Sequence, residues 1–175
     1  MRFILACLFV LSVSPVAAQS TVNSVADYQN WSVFETNDPR QCFVANRDAE
    51  TEITRDGQPT SANRGDPFLY VTHTPGTEND VVSVFLGFPP DRNNPPIIGI
   101  GGKTYELLPG QGGEREWAWV QPKDDKVVLD SMIAGSLAVV TSRSTTAKTI
   151  ADSFSLLGFT DALTNARERC RASAG

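Results

Sequence analysis

Apolar residues recur along most of the chain in short runs, and residues that favour turns separate each run from the next. The runs are rich in Val, Ile, Leu and aromatic residues, which suit β-strands. Turn signals between them include Asn37-Asp38-Pro39, Thr74-Pro75-Gly76 and Gly101-Gly102. The predicted strands cover residues 31–34, 42–44, 68–74, 81–88, 97–100, 105–108, 116–120, 126–133 and 137–141. This spacing predicts an all-β fold, mainly an antiparallel sandwich or barrel.

One α-helix is predicted at the C-terminal end of the chain. Its apolar residues are spaced at i, i+3, i+4, i+7 and i+11, which places them on a single helical face. They are Phe159, Ala162, Leu163, Ala166 and Cys170. Thr160 is the predicted N-cap, Asp161 follows it, and arginines occupy the last turns, where positive charge suits the helix dipole.

Residues 47–66 form a long polar stretch in which Ile53 is the only large aliphatic residue. Asp56-Gly57 is a turn signal inside it. We expect a projecting hairpin or a mobile loop here, and such a segment is also a candidate contact surface.

The first 18 residues have the pattern of a secretory signal peptide. Arg2 supplies a positive charge, residues 3–13 are apolar, and Val16-Ala17-Ala18 provides small residues before the expected cleavage site. The apolar run is shorter than the roughly 20 residues that a membrane-spanning helix needs. Cleavage after Ala18 would leave residues 19–175 as one domain, periplasmic or secreted, with no integral membrane segment.

Cleavage would remove Cys7 and leave Cys42 and Cys170 as the two cysteines of the mature chain. Two cysteines in an exported protein are most simply one disulfide. The alternative is a thiol nucleophile or a metal ligand, but neither cysteine lies in a C-x-x-C motif and the chain has one histidine. A Cys42–Cys170 bond would tie the C-terminal helix to an early strand.

Composition and charge exclude some classes of partner. The chain of 175 residues is 41% hydrophobic, which is typical of a globular protein, and its formal net charge is −5. Nucleic-acid binding requires a basic surface, and so does docking on an anionic membrane. We therefore expect no nucleic-acid partner.

Candidate catalytic and cofactor motifs are incomplete. Gly99-Ile100-Gly101-Gly102-Lys103-Thr104 has Ile97 where a phosphate-binding P-loop needs its first glycine, so a hairpin turn is predicted instead. His73 lacks a G-x-S-x-G partner and further metal ligands, which favours a structural or surface histidine. Asp124-Asp125 lacks a calcium-loop pattern and is predicted to form a solvated hairpin tip. No cofactor, metal site or catalytic residue is predicted.

Several segments of the C-terminal half form a family-like pattern. They are Trp117-Ala118-Trp119, Met132 with Gly135, Asp152-Ser153-Phe154-Ser155-Leu156, Gly158-Phe159-Thr160-Asp161-Ala162-Leu163 and Cys170. Together with Trp31 and Cys42, they resemble the invasion-associated locus B family over essentially the whole mature chain. The chain has Thr146-Ala147-Lys148 where many members have Arg-Gly-Thr. The resemblance implies an exported, mainly β bacterial protein, in a family named for a member linked to host-cell entry and without established catalytic residues.

Trp117 and Trp119 are the candidate binding surface. Strand alternation places both indoles on one face. If they are buried they anchor the core, and the apolar neighbours Ala118 and Val120 favour that interpretation. If they are exposed they form an aromatic platform for a partner protein or a sugar ring.

Two functional hypotheses follow. The first is an exported envelope protein that is not an enzyme and acts by contacts with an envelope or host protein surface. The alternative is a periplasmic carboxylate-dependent hydrolase or carbohydrate-binding module. Two carboxylates about 5–10 Å apart in a concave pocket would favour the hydrolase.

Overall fold

The computed structural model describes residues 24–37, 40–77 and 80–172, and the chain is mostly β-strand within them. The strands are β1 (Ser24–Tyr28), β2 (Trp31–Asn37), β3 (Arg40–Asn46), β4 (Ala49–Arg55), β5 (Gln58–Pro59), β6 (Phe68–His73), β7 (Val81–Phe85), β8 (Ile97–Ile100), β9 (Lys103–Pro109), β10 (Trp117–Val120), β11 (Leu137–Arg143) and β12 (Thr149–Ser155). The helices are α1 (Asp125–Ala134) and α2 (Phe159–Ala172), with a 3-10 turn at Gly112–Glu114. The predicted all-β fold with a C-terminal helix is confirmed.

The strands form one antiparallel sheet that encloses a single core. Their order is β1-β2-β3-β6-β7-β10-β9-β8-β11-β12-β4-β5, and β9 joins the two halves by pairing with β10 and β8. Inward side chains of both halves, such as Val44 and Val140, belong to the same hydrophobic cluster. Trp31 Nε1 and Asn46 Nδ2 both donate to the carbonyl oxygen of Ser155 across the halves, at 3.0 and 2.8 Å. This sandwich-like arrangement buries one face of each half.

Helix α2 packs on the inner side of β1, β2, β3 and β6. All members of its predicted apolar stripe are buried, and the rings of Trp31 and Phe159 lie 4.7 Å apart. The helix begins at Phe159, so Thr160 is its second residue and the predicted N-cap there is wrong. Gly158, which precedes the helix, has φ +87°, and a Cβ there would lie 2.1 Å from the Tyr28 carbonyl oxygen. This close approach excludes a larger residue at the start of the helix.

The predicted disulfide is present between Cys42 and Cys170. The sulfur atoms are 2.02 Å apart and the Cα atoms 5.9 Å apart, and both residues are fully buried. Cys42 lies on β3 and Cys170 in the last turns of α2, so the bond joins the helix to the sheet. Such a bond is typical of proteins outside the reducing cytosol.

The segment predicted as a strand over residues 126–133 is helix α1 instead. Val128 and Leu129 are adjacent and both buried, and Met132 is buried with them. Adjacent residues of a strand point to opposite faces, whereas positions i, i+1 and i+4 share one face of a helix. Asp125, predicted at a solvated turn, is the first residue of α1 and is only 6% exposed.

The polar stretch 47–66 contains two strands. The expected hairpin is present, because β4 pairs with β5. It does not project freely, because residues of β4 also pair with β12 from Ala49 to Thr54. The predicted turn is confirmed, because Asp56 and Gly57 have φ of 51° and 76° between β4 and β5. Left-handed φ at both central residues is typical of a tight hairpin.

The predicted signal peptide, residues 1–18, lies outside the described residues. Among the residues that are described, neither helix has the length and hydrophobicity that crossing a bilayer requires.

Candidate functional site

The outer face of one half of the sheet carries a band of aromatic side chains, which we call the aromatic face. It comprises Phe34, Phe43, Phe68, Tyr70, Phe85, Trp117 and Trp119, from strands β2, β3, β6, β7 and β10. All seven are partly exposed. Their apolar strand neighbours Val33, Val44 and Ala118 point to the opposite face and are fully buried.

Ring contacts run across the aromatic face without a break. Phe34 and Phe43 stack with centroids 4.9 Å apart, and Phe43 lies 5.9 Å from Tyr70. Tyr70 is 5.3 Å from Trp117, which stacks on Trp119 at 6.1 Å. Distances of this size are those of interacting aromatic pairs. The band therefore spans the sheet from β2 to β10.

A second row of contacts widens the band. Phe68, Phe85 and Trp117 lie at paired positions on β6, β7 and β10. Phe68 and Phe85 are 5.9 Å apart, and Phe85 and Trp117 are 5.3 Å apart. The Arg47 guanidinium carbon lies 5.2 Å from the Phe68 ring centre, in cation–π contact. Arg47 thus marks one border of the aromatic face.

The two tryptophans predicted as a binding surface are brought together on this face. The interpretation of them as core anchors is wrong, because Ala118 and Val120 fill the core from β10 and the indoles point outward. The other five aromatic residues were not predicted as part of a surface. Their signal was available in the alternation of aromatic and aliphatic residues, as in Phe68-Leu69-Tyr70-Val71.

Electrostatically, the centre of the aromatic face is uncharged. Thr72 and Ser83 are its polar neighbours on β6 and β7, paired with Phe43 and with Trp119 and Tyr70. Burial raises the pKa of the Tyr70 hydroxyl, and the Arg47 charge opposes this rise. The hydroxyl is therefore neutral at physiological pH.

A polar cavity of about 390 Å³ adjoins the aromatic face at Phe68. Asp48 and Asp66 are among its lining residues, together with Arg47. Both carboxylates belong to exposed residues. A carboxylic acid that donates a proton at neutral pH needs a raised pKa, and apolar surroundings are what raise it. The exposed positions of Asp48 and Asp66 do not supply such surroundings.

His73 lies outside the aromatic face, at the end of β6. Its Nδ1 is 2.8 Å from Asp80 Oδ1, and the same carboxylate accepts from Arg167 of α2. The prediction of a structural or surface histidine missed Asp80 and Arg167. The chain separates them from one another by 87 residues, and no local pattern connects them.

The remaining predicted motifs form turns or lack a group of metal-binding side chains among the described residues. Gly101 and Gly102, with φ of 56° and 79°, form the predicted hairpin turn between β8 and β9. Within the ranges the structure describes, no group of three or more His, Cys, Asp and Glu side chains is placed to hold a metal ion.

Comparisons with known proteins add no relative. Neither a protein-family model, nor a curated protein, nor a solved structure matches the chain.

Proposed function

We propose that the mature chain is an exported, non-catalytic protein that binds another protein through the aromatic face. The observation that carries this proposal is the unbroken band of seven partly exposed aromatic rings on one outer sheet face. The core needs none of them, because the inward positions of the same strands already fill it. Keeping so many large apolar rings at the surface is typical of an interaction site.

The chemistry of the face suits a protein partner. Cores of protein interfaces are depleted of charge and enriched in Tyr, Trp and Phe, with Arg also favoured. The aromatic face has an uncharged centre and Arg47 at its border. In the stacked pairs Phe34–Phe43 and Trp117–Trp119, one face of each ring is turned to its neighbour. This leaves less free ring surface for stacking a sugar, whereas ring edges and faces together suit apolar side chains of a partner.

Other observations support the location and the non-catalytic role. The signal-like residues 1–18 and the Cys42–Cys170 bond support export to the periplasm or beyond. The resemblance to the invasion-associated locus B family supports a partner at the envelope or on a host surface. The exposed Asp48 and Asp66 carboxylates lack the apolar setting of a glycosidase acid.

Site-specific photo-crosslinking in the bacterium that produces the protein tests the proposal. A photoreactive phenylalanine replaces Tyr70 or Trp119 on the aromatic face, and Leu137, which is 46% exposed elsewhere on the sheet, is the control position. We expect one heterologous protein adduct of the same mass from both face positions, and no such adduct from position 137. The purified partner should bind the oxidised wild-type domain, and it should bind the Trp117→Ser variant more weakly.

Three results would overturn the proposal. They are equal adducts from all three positions, adducts only with a second copy of the chain, and binding of the purified partner that Trp117→Ser leaves unchanged. Retention on immobilised glycans that Trp117→Ser abolishes, without a protein adduct, would favour the carbohydrate-binding alternative instead.

A further inference from the structure

A second concave site lies away from the aromatic face, between the end of β6 and the last turns of α2. It is a cavity of about 470 Å³, a volume typical of small-molecule sites. His73 and the following turn line one side, and Arg167, Cys170 and Arg171 line the other. Asp80 also contributes to the wall. Because Cys170 belongs to the disulfide, the bond fixes the helix at the edge of this cavity.

Asp80 holds two of the lining side chains in place. Its side chain is 2% exposed. Oδ1 lies 2.8 Å from His73 Nδ1, and Oδ2 accepts from Arg167 Nε at 2.9 Å and from Arg167 Nη2. A carboxylate only accepts hydrogen bonds, so the proton of the imidazole is on Nδ1. The buried carboxylate thereby sets the orientation of both the imidazole and the guanidinium.

Hydrogen-bonding capacity remains on the cavity side of these groups: Arg167 keeps a donor, and the second nitrogen of His73 accepts in the neutral ring and donates in the protonated ring. Asp80 pairs with Nδ1 of His73 and with Nε and Nη2 of Arg167, and no other described residue bonds to His73 Nε2 or Arg167 Nη1. Arg171 is exposed, and its guanidinium has no hydrogen bond or ion pair to another described residue. The two arginines and the imidazole line the same cavity.

The charge balance of the described lining residues is positive. Among them Arg167 and Arg171 are permanent cations, and Asp80 is the one carboxylate. The carbonyl end of α2 contributes about half a negative charge, which is less than the remaining positive charge. Asp125 is close enough to Asp80 for the two charges to interact, but burial is the main cause of its raised pKa and disfavours its charged form.

We infer that this cavity binds the oxyanion group of a small molecule, either a carboxylate or a phosphate. Guanidinium groups match both oxyanions in geometry and charge. His73 Nε2 adds a third contact, and it donates when the ring is protonated. Asp80 is a positioning residue that holds His73 and Arg167 ready without itself touching the anion. The site is independent of the aromatic face.

The single histidine makes the test specific, because the only imidazole signals in the NMR spectrum come from His73. Isotope-labelled mature protein is titrated with inorganic phosphate in one series and with acetate in another. Ionic strength and pH are held constant with sodium chloride and a non-coordinating buffer. We expect a saturable shift of the His73 ring signals with at least one of the two anions. Saturation by phosphate alone would identify a phosphate site, and saturation by acetate would identify a carboxylate site.

Two matched variants separate the site from general charge effects. Arg171→Gln removes a cation from the cavity rim, and Arg115→Gln removes one from an exposed position near the 3-10 turn. Arg171→Gln should weaken anion binding about tenfold, as expected for loss of a charge-assisted hydrogen bond. Arg115→Gln should leave binding unchanged. A linear drift of the His73 signals with both anions, or equal binding by wild type and Arg171→Gln, would overturn the inference.

Discussion

Both terminal nitrogens of Arg64 donate hydrogen bonds to the carboxylate of Asp152. Nη1 lies 2.8 Å from Oδ2, and Nη2 donates to Oδ1. The Asp152 side chain is fully buried and that of Arg64 is 7% exposed. Arg64 Nη1 also donates to the Leu86 carbonyl oxygen at 3.1 Å. The pair therefore ties the connection between β5 and β6 to β12, which gives a structural role to the aspartate of the family-like segment 152–156.

Replacing Arg64 by Met should destabilise the protein by about 3–5 kcal/mol, because the buried Asp152 carboxylate loses its partner. The free energy of unfolding in urea, followed by tryptophan fluorescence, measures the loss. Lys126→Met is the control. It removes a lysine whose ion pair with Asp130 is exposed, and it should change stability by no more than about 0.5 kcal/mol.

A double variant distinguishes an unpaired charge from lost packing. Arg64→Met combined with Asp152→Leu removes both charges, and it should recover a large part of the stability lost in Arg64→Met. If the double variant is less stable than Arg64→Met alone, the unpaired carboxylate is not the cause of the loss.

Gly158→Ala should be strongly destabilising for two reasons, whereas Gly57→Ala has only one of them. Both glycines have positive φ, +87° and +76°, but only at Gly158 would the added Cβ collide with backbone, the Tyr28 carbonyl. We expect a loss of about 1–2 kcal/mol for Gly57→Ala from backbone strain, and at least about 3 kcal/mol for Gly158→Ala. Equal losses in thermal or urea unfolding would contradict the proposed close approach.

Reduction of the Cys42–Cys170 bond should lower stability by about 4–5 kcal/mol, because the bond closes a loop across nearly the whole domain. Urea unfolding with and without reductant measures this difference. The Cys42→Ala, Cys170→Ala double variant should match the reduced wild type and show no response to reductant. A wild type whose unfolding is unaffected by reductant would show that the bond is not formed.

Asp125→Asn should stabilise the protein at neutral pH. Asp125 is 6% exposed, and its Oδ1 has no hydrogen-bond partner among the described residues. Burial raises its pKa, and the Val82 amide only partly offsets this. The folded form therefore binds this proton more tightly than the unfolded chain, and the wild type loses stability as pH rises through the raised pKa.

The pH profile supplies the check on Asp125. The stability difference between wild type and Asp125→Asn should close as pH falls below about 4, where the unfolded-state carboxyl is protonated as well. Asp124→Asn is the control variant, because it makes the same change in net charge at the neighbouring position. A difference for Asp125→Asn that persists unchanged at low pH would rule out burial of the charge as its cause.

Helix α1 buries the adjacent residues Val128 and Leu129 together, whereas a strand would point them to opposite faces. Leu129→Ala and the equivalent change at Val128 should both be destabilising, with about 2–4 kcal/mol expected for Leu129→Ala. Val127 is 39% exposed, and Val127→Ala should stay within about 0.5 kcal/mol of wild type. Urea unfolding of the three variants tests the helical spacing. A Val127→Ala variant that loses as much stability as Leu129→Ala would favour the predicted strand, in which these two residues share one face.

The errors in the sequence analysis have physical causes. A short run such as Val127-Val128-Leu129 is compatible with a strand or a helix by hydrophobicity alone, and β-branched residues favoured the wrong choice. Strand β4 was missed because it is polar and mostly exposed, so no apolar alternation marked it. Its pairing with β12 is a long-range contact, and local propensity does not record such contacts.

The sequence by itself determined the β-class, the apolar stripe of α2 and the pairing of Cys42 with Cys170, because periodicity, turn residues and cysteine number are local or countable properties. Only the tertiary structure decided which face of β10 looks outward, because alternation defines two faces without saying which one meets the core. It also decided that His73, Asp80 and Arg167 meet at one cavity. These three residues come together because α2 packs against the end of β6, and the disulfide holds the helix in that position.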